Sequence, residues 1–211
     1  MNSELNDRPY TFSNKISRII LLSMQEVIGK NGLNAVLNIA RLSHYIESYP
    51  PADFAPGMTF EEAGRLFEAL EGMFGQRAGR RLARQSGHIC FRFGIEGFGA
   101  VIGFMDFMLR ILPITLRARI GLEVLAEILN RYSDQRVILD EDDENYFLKV
   151  TQCGVCWGRY ASEPLCFLMI GIVEEILYWV SRGRRFGVEE TRCIAQGESS
   201  CVVRVQKVPV S

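Results

Sequence analysis

Cysteine is the residue type in this chain best suited to chemistry, and five of the six cysteines lie in the C-terminal third. Glu190-Thr-Arg-Cys193 is followed by Cys201, and Cys166 lies upstream of all three. Thiolate sulfur and carboxylate oxygen both bind Zn²⁺ well, and four protein ligands leave no open coordination position. These four residues can therefore close one tetrahedral zinc site of the kind that supports a fold.

Cys153-Gly-Val-Cys156 supplies two competing thiols. This Cys-x-x-Cys pair would either displace Glu190 to give an all-thiolate site or act as a redox pair. A third interpretation leaves the thiols buried without a metal. Disulfides are not expected, because we predict a cytoplasmic and therefore reducing location.

The histidines and the paired carboxylates do not form a second site in the sequence. His44 and His88 have no evident partner along the chain, so we expect packed or surface imidazoles. Glu174-Glu175 is expected on a solvated helix face. No glycine-rich phosphate loop follows a predicted strand. The sequence therefore predicts no catalytic residue.

The composition is that of a globular chain without an electrostatic preference for nucleic acid. The chain has 211 residues, a net charge of -1 and 48% hydrophobic residues. This length favours one domain over residues 1–211, and the small net charge argues against direct nucleic-acid binding. Because the first ten residues have no apolar signal-peptide core, we expect a cytoplasmic protein. The most apolar stretch, 97–112, contains Asp106 and Arg110, which argues against a membrane span.

Apolar spacing predicts a mainly helical first part, residues 1–132. Thr59-Phe-Glu-Glu62 is a capping box that opens one helix, and Ser13 or Asn14 is suited to cap the first helix. Further helices with apolar stripes are predicted over residues 12–29, 33–46, 76–93, 95–112 and 115–132.

The hydrophobic period changes in the second part, residues 133–211. Residues 137–150 predict a hairpin around an acidic turn, and residues 164–180 predict a helix with Pro164 in its first turn. Residues 186–194 and 201–208 predict a second hairpin. We therefore predict an α+β fold in which a helical N-terminal half packs on a small antiparallel sheet.

The stretch 91–108 is rich in phenylalanine, methionine and glycine, and it has two interpretations. Aromatic and methionine side chains at helical spacing are typical of a core. Glycines among them would instead leave room between helices for a flat apolar guest. On the second interpretation, Phe98, Ile102, Met105 and Phe107 are candidate residues of a ligand pocket.

The C-terminal motifs resemble the vinyl-4-reductase domain family. The resemblance rests on Glu190-x-x-Cys193, Gly197 and Cys201, with Cys166 upstream. It implies a fold related to the TRAPP vesicle-transport subunits and to ligand-binding domains of nitric-oxide signalling. In phenol-sensing transcriptional activators that carry this domain, the matching residues bind a structural zinc beside a buried aromatic-ligand pocket. The resemblance thus assigns Cys166, Glu190, Cys193 and Cys201 as zinc ligands.

One departure from those sensors affects the carboxylate. This chain is a residue longer between Cys166 and Glu190, which makes Glu189 a competitor for the ligand position. Glu190 keeps the spacing to Cys193, and we therefore prefer it.

Three hypotheses for function follow. The first is a zinc-stabilised domain, expected as a homodimer, that binds a hydrophobic small molecule as a sensor or carrier. The second, implied by the name of the family, is a 4-vinyl reductase or a tetrapyrrole-handling accessory in bacteriochlorophyll synthesis. A reductase needs a hydride source, and the sequence shows no motif for such a cofactor. The third is an assembly subunit whose apolar surface is covered by a partner.

Overall fold

The computed structural model describes residues 8–97 and 112–210. Its helices are α1 (Asn14–Ile39), α2 (Phe60–Phe74), α3 (Gln76–Gly97), α4 (Ile114–Tyr132) and α5 (Phe167–Val180). Its strands are β1 (Thr11–Ser13), β2 (Pro56–Thr59), β3 (Val137–Glu141), β4 (Asn145–Val150), β5 (Phe186–Arg192) and β6 (Cys201–Pro209). The predicted α+β class is confirmed, since helices form most of the first part and an antiparallel sheet forms most of the second.

Helix α1 joins the first two predicted helices. It begins after Ser13, whose hydroxyl accepts a hydrogen bond from the Ile16 backbone N–H. Gly29 interrupts the helical geometry with φ of 73° and ψ of 162°, in the positive-φ region that glycine tolerates. The chain resumes the helix after this kink and ends it at Ile39, earlier than predicted, before a short 3-10 turn over Ser43–Tyr45.

Helix α2 begins at the predicted capping box. The Glu62 backbone N–H donates to Thr59 Oγ1 at 3.1 Å, and the Thr59 backbone N–H donates to Glu62 Oε2 at 2.8 Å. Both bonds satisfy amide groups that the first turn of a helix otherwise leaves without partners. The apolar face of α2, including Phe60 and Phe67, is buried in the core.

Helices α3 and α5 cross at two glycines. A Cβ atom on Gly87 would overlap the carbonyl oxygen of Leu168, and one on Gly171 would overlap the carbonyl oxygen of Arg84. The two backbones therefore pack more closely than larger residues would allow. Helix α3 also continues past the predicted end at Phe93 to Gly97; the rest of the predicted helix 95–112 lies largely outside the described residues.

The two predicted hairpins form one four-stranded antiparallel sheet in the order β3-β4-β6-β5. Strands β4 and β6 connect them, with Tyr146 opposite Val205 and Leu148 opposite Val203. All four of these side chains are buried, so one face of the sheet contributes to the core. The short pair β1-β2 was not predicted, because each strand has only three or four residues.

The segment 151–166 connects β4 to α5 and lies against the helical part. Trp157 packs on Tyr10 with 5.1 Å between ring centroids, and buried Arg159 donates to Glu71 Oε1 at 2.7 Å. The prediction that Pro164 occupies the first turn of a helix is wrong, because α5 begins only at Phe167. The extra non-helical residues carry two cysteines inward, as described below.

Across residues 8–97 and 112–210, none of the helices is both long and apolar enough to cross a bilayer.

Candidate functional site

Five cysteine thiols meet in one buried cluster, which we call the thiol cluster. They come from four places in the fold: two from the segment 151–166, one from the residue before α5, one from the end of β5 and one from the start of β6. The members are Cys153, Cys156, Cys166, Cys193 and Cys201.

The sulfur atoms are within metal-sharing distance of one another. Cys166 Sγ lies 3.0 Å from Cys153 Sγ and 3.2 Å from Cys156 Sγ. Cys156 Sγ also lies 3.4 Å from Cys193 Sγ and 3.7 Å from Cys201 Sγ. Two sulfurs that bind one tetrahedral Zn²⁺ are separated by about 3.8 Å, given a Zn–S distance of about 2.3 Å. The cluster therefore needs only small shifts to hold an ion.

Glu190 adds a carboxylate to the thiol cluster. Its Oε2 accepts a hydrogen bond from the Cys166 backbone N–H at 2.8 Å. Its Oε1 is buried and has no hydrogen-bond partner among the described residues. Burial, together with the adjacent Cys193 thiolate, raises the pKa of Glu190 to about 8. A buried carboxylate oxygen without a partner is what a metal ion would satisfy.

The neighbouring Glu189 faces the other way. It forms an ion pair with Arg204 on the exposed side of the sheet, where 57% of its side chain is accessible. Successive residues of a strand point to opposite faces, so Glu190 is the carboxylate that faces the sulfurs.

The turn between β5 and β6 brings Cys193 and Cys201 together. A short 3-10 turn follows Cys193 and ends at Gly197, which has a φ of 90°. The Ile194 backbone N–H donates to Cys201 Sγ at 3.3 Å. Such amide donors favour the ionised form of a sulfur, which is the form that binds metal.

Hydrogen bonds between the thiols divide their pKa values. Bonds from neighbouring thiols lower the pKa of Cys153 and Cys193, because thiol donors stabilise these two sulfurs as thiolates. The same bonds raise the pKa of Cys156, Cys166 and Cys201, which keep their protons as donors. A cation would replace those protons and allow more of the sulfurs to ionise.

The donors fall into two compact sets of four, and within each set all ligand atoms lie within 4.8 Å of one another. The first set is Cys153, Cys156, Cys166 and Cys201. The second set is Cys156, Glu190, Cys193 and Cys201. The four ligands predicted from the sequence all reach the cluster, but Cys166 lies in the first set, whereas Glu190 and Cys193 lie in the second.

Cys156 belongs to both compact sets, a role that the sequence did not identify. The signal that pointed to it was the Cys-x-x-Cys spacing, which left it as a competitor for the metal. Its central position depends on how the segment 151–166 folds back over α5 and β6.

An apolar cavity of about 120 Å³ lies beside the thiol cluster. Helices α1, α3, α4 and α5 line it with side chains that include Ile16, Phe91, Leu125, Ile172 and Trp179. Cys153 and Val155 of the segment 151–166 complete the wall nearest the cluster. The pocket residues predicted from the sequence, Phe98, Ile102, Met105 and Phe107, lie outside the described residues.

Gln135 is the polar side chain of this apolar lining. The residue is only 3% exposed, and its side-chain amide forms no hydrogen bond with another described residue. A buried amide without a partner is unfavourable unless a water or a ligand satisfies it. The cavity thus combines apolar walls with one available polar group.

His88 has two partners that the sequence did not reveal. Its Nδ1 lies 2.8 Å from Glu175 Oε2, and its Nε2 lies 3.2 Å from Glu174 Oε2. Glu174 also pairs with Arg84, and only 16% of its side chain is exposed. The expectation of a solvated Glu174-Glu175 face is therefore replaced by an ion-pair network between α3 and α5.

Comparison with known proteins supports the C-terminal resemblance. Residues 146–207 match the family model of the vinyl-4-reductase domain, which confirms the similarity to that family over this segment. No curated protein matches the chain significantly.

Solved structures with a similar fold include two H-NOX proteins. One from S. oneidensis, in the Fe(II)NO ligation state, has a TM-score of 0.55 and 13% identity, covering 92% of this chain and 99% of that chain. One from K. algicida, Fe(II) and unliganded, has a TM-score of 0.54 and 14% identity, covering 90% and 95%.

The phenol-responsive sensory domain of the transcription activator PoxR, solved with phenol, is also similar. Its TM-score is 0.51 at 17% identity, with 71% of this chain and 74% of that chain covered. Residues 146–207 of this chain therefore match the vinyl-4-reductase domain, within a fold that the chain shares with H-NOX proteins and with the PoxR sensory domain.

Proposed function

We propose that this protein binds a small, largely apolar molecule in the cavity beside the thiol cluster and acts as a sensory or carrier domain. The observation that supports this most directly is the cavity itself, whose walls are apolar except at Gln135. Apolar walls with few well-placed polar groups are typical of ligand sites. The similar PoxR domain is phenol-responsive, which agrees with this type of ligand.

The size of the cavity selects a ligand of about one ring. Its volume of about 120 Å³ is close to the roughly 150 Å³ of an engineered protein cavity that binds benzene. Neither His44 nor His88 lines the cavity, so the axial histidine that holds haem in many proteins has no counterpart there. We therefore favour a single-ring organic ligand with one hydrogen-bonding group that reaches Gln135.

Two probes test this site. Toluene and phenol should both bind and change the fluorescence of Trp179, which lines the cavity. Gly94 also lines the cavity, and a Cβ atom there meets nothing within 4 Å, so Gly94→Leu places a side chain in the empty space. This variant should weaken both probes by about tenfold or more.

Gln135→Leu separates the polar contact from the apolar one. Losing one hydrogen bond worth about 1 kcal/mol should weaken phenol roughly fivefold and leave toluene unchanged. Gly72→Leu on exposed α2 is the matched control, because a side chain there also meets nothing within 4 Å. Failure of both probes to bind the unaltered protein, or equal binding by Gly94→Leu, would overturn the proposal.

We further propose that the thiol cluster holds zinc and that this metal fixes the segment 151–166, α5 and the β5-β6 hairpin to one another. Buried thiolates with a carboxylate suit Zn²⁺, and four protein donors to an ion are typical of a structural site. A cytoplasmic homodimer remains our expectation for the assembled protein.

Cys201→Ser tests the zinc proposal independently of the ligand. Cys201 belongs to the ligand set predicted from the sequence and to both compact donor sets. Its replacement should lower the zinc content measured by elemental analysis. Cys90→Ser is the control, because Cys90 is buried in α3 and lies outside both donor sets. Unaltered protein that contains no zinc after purification under reducing conditions would refute this part.

A further inference from the structure

We propose that the thiol cluster binds two metal ions of the zinc class, bridged by the thiolates of Cys156 and Cys201. This inference rests on the metal binding proposed above and extends it from one ion to two. The ion nearer the cavity takes Cys153 and Cys166 as its terminal ligands. The second ion takes Glu190 and Cys193.

The arrangement of donors carries this inference. The two compact sets share two sulfurs, Cys156 and Cys201, and their other members do not overlap. Each ion therefore obtains four donors, the coordination number that Zn²⁺ prefers in closed sites, when the two common sulfurs bridge. The described cluster offers the donors that such a pair of ions requires, and none is left over.

A single ion would leave buried donors without partners. An ion in the first set leaves Glu190 Oε1 buried with no hydrogen-bond partner in the described part of the chain. An ion in the second set leaves Cys153 and Cys166 outside its coordination shell, with sulfurs 3.0 Å apart. Buried polar and charged groups are stable only when they are paired or bound to metal, so two ions satisfy the cluster better than one.

Charge points in the same direction. Five thiolates and one carboxylate carry six negative charges when all are ionised. Two divalent ions leave a net charge of about -2, the same as one Zn²⁺ bound by four thiolates. One ion among six ionised donors would leave about -4, which burial strongly disfavours. Binding of the second ion releases the protons that the remaining donors would otherwise keep.

The bridging sulfurs are suitably spaced. Cys156 Sγ and Cys201 Sγ lie 3.7 Å apart. With Zn–S distances of about 2.3 Å, two ions that share these sulfurs would be separated by about 3 Å.

Metal stoichiometry and cadmium NMR test the inference on the full chain. Native mass spectrometry of zinc-supplemented protein should show two zinc ions per chain. After exchange with ¹¹³Cd, two resonances should appear with scalar coupling through the shared sulfurs. One ion per chain, or one resonance, would overturn the two-ion cluster while leaving a single structural zinc. No ion at all would overturn both proposals.

Three variants distinguish the ions. Cys153→Ser removes a terminal ligand of the ion nearer the cavity, and Glu190→Gln removes one from the other ion, so each should reduce the stoichiometry from two to one. Cys90→Ser should keep two. Retention of two ions by both ligand variants would overturn the assignment. If a ligand variant does not fold, the stoichiometry and the cadmium spectrum of the unaltered protein decide the question.

Discussion

At the scale of single residues, a few side chains fix the geometry of whole segments. The Thr59 hydroxyl and the Glu62 carboxylate each bond to the other residue's backbone N–H at the start of α2. Helix starts leave amide groups without partners, and a reciprocal pair of side chains satisfies two of them.

Thr59→Ala should destabilise the protein by about 1 kcal/mol, because the N-cap acceptor is lost. Urea unfolding measures the change. Thr59→Ser is the matched control, since it keeps the hydroxyl and should retain most of the stability. An unchanged unfolding midpoint for Thr59→Ala would show that the capping box does not contribute.

His88 makes stability depend on pH. The hydrogen bond with Glu174, opposed by burial and assisted by Glu175, raises the pKa of His88 above its ordinary value of 6.5. Protonated imidazole is thus favoured in the folded state. Its stabilisation is complete below the unfolded pKa and is lost as the pH rises through the higher folded pKa.

His88→Gln should therefore destabilise the protein more at about pH 5.5 than at about pH 8.5, because only the charged imidazole gains from the carboxylates. Urea unfolding at both pH values measures this difference. NMR titration gives the direct check, with an imidazole midpoint expected above 6.5 and a lower midpoint in Glu174→Gln. A midpoint below 6.5 in the unaltered protein would contradict the prediction.

At the scale of elements, the crossing of α3 and α5 positions both the cavity and the thiol cluster. Helix α3 contributes Phe91 to the cavity, and α5 contributes Ile172 and follows directly after Cys166. Close approach at Gly87 and Gly171 fixes the distance between these helices. The crossing therefore connects the ligand wall to the metal donors.

Gly87→Ala should destabilise the protein by about 1–3 kcal/mol, because the added methyl group overlaps a backbone oxygen of α5 and cannot be accommodated by a side-chain rotation. Gly72→Ala on exposed α2 is the control. A Cβ there meets nothing within 4 Å, so the higher helix propensity of alanine should stabilise by up to about 1 kcal/mol. Equal effects of the two variants in thermal unfolding would contradict the close crossing.

At the scale of the whole molecule, the cavity and the thiol cluster share a wall. Cys153 lines the cavity and also contacts the cluster, with its sulfur 3.0 Å from Cys166 Sγ. Val155, from the same segment, lines the cavity too. A metal that fixes the position of Cys153 should therefore also fix part of the ligand site.

Removal of the metal with a chelator should weaken toluene binding by about tenfold, a coupling free energy of about 1.4 kcal/mol. Because coupling between binding sites is reciprocal, saturating toluene should slow zinc loss to the chelator. Calorimetry measures the first effect and a chromogenic chelator the second. Circular dichroism must show that the metal-free protein keeps its helices. Unchanged toluene affinity in such a folded, metal-free sample would contradict the coupling.

The sequence by itself determined the local features of this protein. The capping box at Thr59, both hairpins and the α+β class followed from hydrogen-bonding residue types and hydrophobic period, which act over neighbouring residues. The cysteines likewise predicted a C-terminal site, since soft donors in one segment indicate a metal. Where turn chemistry was less distinctive, at Gly29 and Pro164, the predicted ends of helices differed from the structure.

Only the tertiary structure decided which donors converge. The strand register of β5 turns Glu190 toward the sulfurs and Glu189 toward Arg204, and a shift of one residue would reverse this choice. The position of Cys156 between the two donor sets, and the pairing of His88 with Glu174, depend on contacts between segments far apart in the chain. Such contacts result from packing over the whole core, which no local pattern encodes.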